Sequence, residues 1–132
     1  MHLASTLYKD ARTDTTLIQP ETALELATRT GAAALGAAET LGAIEAGHRA
    51  DLVLFDTSRP HWRSLTDPVR NLVYSATGDS VDTVIVAGQV KIEGGRPTFI
   101  DDLWALIEQV EQAGTRIRAA TGINHRSAWP PS

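Results

Sequence analysis

Residues 41–56 (LGAIEAGHRADLVLFD) constrain the fold of this chain most, because they join a glycine-bearing turn to the most apolar strand candidate in the sequence. Gly42 and Gly47 give the backbone its freedom on either side of Ile44, and Leu52 to Phe55 then run without a polar break. Asp56, Ser58 and Pro60 stop the run, a pattern that predicts a strand buried on both faces. Residues 81–87 (VDTVIVA) repeat the arrangement and end at Gly88. Neither strand is stable alone, so the two are expected to pair or stack.

The flanking segments read as helices and turns. Leu3, Leu7 and Tyr8 share a face at helical spacing, which predicts a short helix over residues 1–11. Pro20 suits a first helical turn, Glu21 puts negative charge at its positive end, and residues 21–35 are expected to form one helix. Its Ala23, Leu24, Ala27, Ala34 and Leu35 make a broad apolar face for close packing, and Gly36 is the expected left-handed stop. Residues 57–67 (TSRPHWRSLTD) read as a loop closed by Asp67-Pro68, residues 71–75 as a short apolar run, and residues 76–79 as a turn. Gly88-Gln89 is the spacing of a two-residue hairpin leading to a second arm at residues 90–92, closed by Gly94-Gly95. From Asp101 the period is helical again, with Leu103, Leu106, Ile107, Val110 and Ile117 in phase, Asp101 and Asp102 at the capped start and Gly122 at the end. Residues 124–132 form a Pro-bearing tail, expected to be loose unless Trp129 finds a pocket.

Composition narrows the class of function. A chain of 132 residues with 42% hydrophobic residues fits one globular domain. Its net charge of −4 and dispersed arginines argue against a nucleic-acid partner. With no cysteine there is neither a disulfide framework nor a thiolate metal site. No segment has the apolar length to cross a bilayer, and residues 1–12 lack the apolar core of a signal peptide. The expectation is a soluble, cytoplasmic protein without a membrane partner.

Candidate chemistry is sparse. His2, His48, His61 and His125 are the only imidazoles, and no two stand at a spacing that shares a face, so each reads first as a solvated or locally hydrogen-bonded ring. Asp51 and Asp56 bracket the apolar strand. Five residues of strand separate them by about 17 Å and turn them to opposite faces, which favours turn and edge hydrogen bonding over acid–base work. Ser58, Ser64 and Ser75 lack a nucleophile elbow, and Gly78-Asp79-Ser80 reads only as a turn. Trp62, Tyr74, Phe99 and Trp104 are too dispersed for a stacking platform and are expected in the core.

The order of four blocks carries a resemblance: residues 22–36 (TALELATRTGAAALG), residues 41–56, Asp67-Pro68 with Leu72-Val73-Tyr74, and residues 84–88 (VIVAG). Together they resemble the C-terminal end of the amidohydrolase superfamily, nearest the branch of chlorohydrolases and of cytosine, guanine and methylthioadenosine deaminases. The resemblance covers residues 1–99. It implies an α/β fold of partial character: terminal helices of a metal-dependent-hydrolase β/α barrel plus part of the adjoining small β-sandwich. The implied divisions are residues 1–38 for the barrel-end helices, 39–100 for the partial sandwich and 101–132 for a C-terminal helix and loose tail.

In that family a bound ion, zinc or iron, activates water to displace an amine or halide from a ring carbon. The ligands are an H-x-H pair, two later histidines and an aspartate. None has a matching position here, and Met1 falls a few residues beyond the place of the aspartate. The resemblance therefore implies no catalytic, cofactor-binding or metal-binding residue in this chain, and an isolated chain without turnover. Strands lacking their sandwich partners would leave apolar edges, which recruit other chains. The expected partners are a second copy of the chain or a missing N-terminal metal-bearing half. The alternative is a non-catalytic assembly or binding module.

Overall fold

A computed structural model describes residues 1–123, and the tail expected over residues 124–132 lies outside them. These residues fall into two compact units divided between Thr98 and Phe99.

The first unit starts with three helices, α1 (His2–Arg12), α2 (Pro20–Ala27) and α3 (Arg29–Ala34). In α1 the expected apolar face of Leu3, Leu7 and Tyr8 is exposed, and the residue turned inward is Ser5, which is fully buried. The single helix expected over residues 21–35 is broken at Thr28, whose φ of −117° and ψ of −93° leave the helical region. Thr28 Oγ1 donates to the Leu24 carbonyl at 2.8 Å, the back-bonding by which a mid-helix threonine competes with the ladder. Of the expected apolar face, Ala23 is buried with the neighbouring Ala32, whereas Leu35 is 82% exposed. Gly36 takes the left-handed conformation as expected, at φ 69°.

Residues 71–75, expected as a short apolar run, fall mostly within a helix, α4 (Pro68–Tyr74). Asp67 caps it by accepting the Arg70 N–H at 3.0 Å, and Pro68 occupies the first turn. Cap followed by proline is a helix start, so Asp67-Pro68 opens an element rather than merely closing a loop. The buried apolar side chains among the described residues are Pro20, Ala23, Ala32, Trp62 and Val73, so the core lies where α2, α3, α4 and the 3-10 turn Pro60–Trp62 meet. Phe99 and Trp104, expected inside, are 68% and 79% exposed.

The sheet is antiparallel, with strands in sequence order: β1 (Leu52–Phe55), β2 (Val81–Val86), β3 (Gln89–Glu93) and β4 (Arg96–Pro97). Leu52 pairs with Ile85 and Val53 with Val84, and a bulge follows Leu54 so that Phe55 faces Val81. The hairpin between β2 and β3 turns through Ala87-Gly88, one residue earlier than expected. Both residues have positive φ, 49° and 76°, the twist that a two-residue hairpin needs. β1 is an edge strand, and Val53 and Leu54 are about half exposed, so it is not buried on both faces.

Gly42 joins sheet to helices. At φ 86° a Cβ built there would lie 2.8 Å from the Thr28 carbonyl oxygen and 2.9 Å from Arg29 Cα. Backbone cannot yield as a side-chain tip can.

The second unit contains α5 (Leu103–Thr121), capped by Asp102 through the Ala105 N–H at 2.9 Å and ended by Gly122 at φ 67°. No residue of α5 is buried. Neither α5 nor any other helix is long and apolar enough to cross a membrane.

Gly42→Ala is expected to lower unfolding stability by about 2 kcal/mol or more, through positive φ and overpacking together. Urea titration checks this, and a loss within about 0.5 kcal/mol, ordinary for a surface change, would show that the approach carries no load.

Candidate functional site

The apolar residues around β1 do not close over it. Leu24 and Ala27 of α2, Leu72 of α4, Leu41 and Ile44 of the following loop, and Leu52 and Phe55 of β1 line a cavity of about 490 Å³. Its wall is chiefly hydrocarbon. Of the polar groups on its rim, Asp51 already accepts the Ala87 N–H at 2.6 Å. An enclosed apolar void of this volume would cost about 12 kcal/mol at the usual price per cubic ångström, comparable to the whole stability of a domain. A fold cannot carry that cost as empty interior. Ile44, on its edge, is 89% exposed.

Polar chemistry in the first unit centres on Tyr74. Ser5 Oγ shares its one proton between the Tyr74 hydroxyl oxygen at 3.1 Å and the Ile18 carbonyl at 2.8 Å, both of which accept from it. Lys9 Nζ donates to the same phenolic oxygen at 2.6 Å and lies 5.2 Å from the ring centroid. The Lys9 bond, with Ser5 second, holds the Tyr74 phenol below its ordinary range against the opposing effect of burial. The chain of bonds ties α1 to α4 and to the backbone between α1 and α2. Sequence reading named Tyr74 only as a core aromatic, because the partners lie 65 and 69 residues away and no local spacing announces them.

Among the described residues, His2, His48 and His61 are not brought together. His2 Nδ1 donates to the Val73 carbonyl at 3.2 Å, a second tie between α1 and α4. His48 Nδ1 and His61 Nε2 are buried without a hydrogen-bond partner among the described residues, as is Trp62 Nε1, so the local hydrogen bonding expected of the two loop imidazoles is not made at those atoms. His61 Nε2 is 3.9 Å from Asp79 Oδ1, too long for a hydrogen bond. His125 lies outside the described residues. Asp51 and Asp56 do the turn and edge work expected of them: Asp56 Oδ1 accepts from the Ser58 N–H at 2.9 Å and its hydroxyl at 2.6 Å. Those bonds, with Arg59 nearby, hold the Asp56 carboxyl below its ordinary range.

With fold and site described, kinship can be stated. The chain belongs to the amidohydrolase family, whose model matches residues 1–91. It is similar to the 5-methylthioadenosine/S-adenosylhomocysteine deaminase of Acetivibrio thermocellus, 42% identical over 102 residues that cover 77% of this chain and 24% of that protein. The protein of the same name from Desulforudis audaxviator is 38% identical over 117 residues, covering 89% of this chain and 27% of the relative. Among solved structures, an adenosine deaminase from Xanthomonas campestris with bound zinc superposes at a TM-score of 0.85 with 34% identity, over 89% of this chain and 27% of that one. Atrazine chlorohydrolase from Arthrobacter aurescens, complexed with zinc, superposes at 0.71 with 26% identity, over 88% and 25%. The mixed helix and sheet fold is thus one found within amidohydrolases, and the chain spans 24% to 27% of the length of these two curated relatives.

Zinc accompanies both solved relatives. Among the described residues no three His, Asp or Glu side chains converge to hold an ion, so the donor set of residues 1–123 does not fit that metal.

Tyr74 is expected to ionise below the phenol range near 10, and Lys9→Met to raise its titration, read as phenolate absorbance. The folded pKa is depressed, so the group adds stability above the unfolded pKa and loses it as pH falls through the folded value. A titration unmoved by Lys9→Met would contradict the Lys9 bond as its cause.

Proposed function

We propose that this chain is the C-terminal part of an amidohydrolase-like hydrolase acting on C–N or C–Cl bonds of a cyclic substrate. By itself it has no turnover. In this reading residues 1–38 are the helices that end a β/α barrel, residues 39–100 are part of a small β-sandwich, and residues 101–132 are a C-terminal helix and tail. The relatives named as deaminases and a chlorohydrolase support the reaction class. The metal and its water belong to a segment that this chain complements.

The cavity beside β1 is the observation that carries this reading. Its volume lies within the span of small-ligand pockets, roughly 300–1,000 Å³. A ligand site, however, needs convergent polar groups to orient its occupant, and this wall offers hydrocarbon. Its edge is a strand with one side unpaired, the arrangement that takes up an added strand and its apolar side chains. That favours assembly with a metal-bearing polypeptide over a freestanding binding module.

The test mixes the purified chain with the remainder of the Acetivibrio thermocellus enzyme, cut before its matching segment. The chain alone is expected to release no ammonia from 5′-methylthioadenosine, and the mixture to release it in the presence of zinc. Ile44→Glu, which places a charge on the apolar rim, is expected to reduce the recovered rate at least about tenfold. Turnover by the chain alone would overturn the reading, and a mixture no better than its parts would remove the assembly role.

A further inference from the structure

The 19-residue helix α5 has its own surface problem, separate from the cavity. Leu103, Ile107, Val110, Gly114 and Ile117 recur at alternating steps of four and three, the seam of a two-stranded coil. The four large ones are between 41% and 63% exposed. We propose that α5 pairs antiparallel with α5 of a second copy, so that this helix makes the chain a homodimer.

Gly114 is the first observation that selects this occupant. Glycine is the poorest helix former after proline, yet nothing among the described residues requires one here. Its φ is not positive, and a Cβ would meet only the far end of Arg118 at an ordinary 3.6 Å. None of the described residues makes use of the gap. Gly114 lies two residues beyond the middle of the helix and Val110 two residues before it. When two copies align antiparallel about that midpoint, Val110 of each lies level with Gly114 of the other, and Ile107 with Ile117. Each valine fills the space that a missing side chain leaves, and the backbones close to small-residue distance.

Charge selects the direction. Trp104, Glu111 and Arg118 succeed one another at seven-residue intervals along one flank of the seam. Parallel pairing would set this flank against Leu106, Ala113 and Ala120 of the other copy, which offer Glu111 and Arg118 no charge to meet. Antiparallel pairing brings Arg118 of one copy within a turn of Trp104 of the other, in reach of its ring face, and along the flank from Glu111. The acidic residues Glu108 and Glu111 precede the midpoint, and Arg116 and Arg118 follow it. This order also suits the dipole of a lone helix, so the glycine and the flank carry the proposal.

Sedimentation velocity of the full chain over a concentration series is expected to show a dimer. Glu111→Arg makes the flank wholly basic and Arg118→Glu wholly acidic. Each alone is expected to raise the dimer dissociation constant about tenfold or more, and an equimolar mixture of the two variants to restore dimers. Gly114→Leu should abolish the dimer while far-ultraviolet circular dichroism keeps its helix signal. A wild-type chain that stays monomeric would overturn the proposal. So would a dimer indifferent to all three substitutions, which is the outcome if copies join through the cavity instead, or reversed charges that fail to rescue each other.

Discussion

The approach of Gly42 to the chain at Thr28 fixes where the elements of residues 1–98 can lie. With no side chain between them, the loop that follows α3 presses on the break between α2 and α3, and Ala32 is buried. That loop runs directly into β1, so its seat sets the position of the edge strand. β2 then follows by pairing, helped beyond the strand ends by Asp51 on the Ala87 N–H and by the Asp56 N–H on the Ser80 carbonyl at 2.7 Å. The cavity is the consequence. A loop held close to the helix break by backbone contact cannot also bring β1 flush against α2 and α4, because residues 41–44 stand between them at the rim.

Helix α1 is retained by different means. Its apolar side chains, Leu3, Leu7 and Tyr8, face outward, and its inward contacts are polar. Ser5 is fully buried with its hydroxyl donating between the Ile18 carbonyl and Tyr74, Lys9 donates to Tyr74, and His2 donates to the Val73 carbonyl. Hydrogen bonds of this kind contribute about 1 kcal/mol each net, and leaving a buried partner unsatisfied costs more. The interaction therefore specifies where α1 lies more than it supplies stability.

Elements written in local chemistry were legible in the sequence. The end of α5 at Gly122, its cap at Asp102, the left-handed Gly36 and the strands at residues 52–55 and 81–86 follow from spacing and turn residues alone, whereas the choice of pairing over stacking does not. Three features were not legible, each for a physical reason. The helix break at Thr28 leaves the spacing of the apolar residues around it unchanged, so helical periodicity runs through it. α4 was hidden because Asp67-Pro68 has two readings, and only the cap bond to Arg70 chooses between them. The exposure of Val53, Leu54, Phe99 and Trp104 could not be inferred because an apolar residue signals burial without saying what buries it. The Tyr74 cluster had no local signal at all.

Two of the exposed apolar surfaces, the seam of α5 and the cavity beside β1, differ in shape, and shape decides what each can bind. A two-fold interface must be complementary to itself, so that a projection on one copy meets a recess on the same patch of the other. The seam of α5 satisfies this, with Val110 and Gly114 placed symmetrically about its middle. The cavity does not. It is concave throughout, bordered by Leu24, Leu52 and Leu72, and two concave patches brought face to face enclose void rather than contact. Its complement must be convex and apolar, which a second copy could offer only from another part of its surface, and contacts of that kind propagate into open chains unless the rotation closes. A different polypeptide meets the requirement without that consequence. The physical division is thus between a linear seam suited to self-pairing and a hollow suited to a partner of unlike sequence.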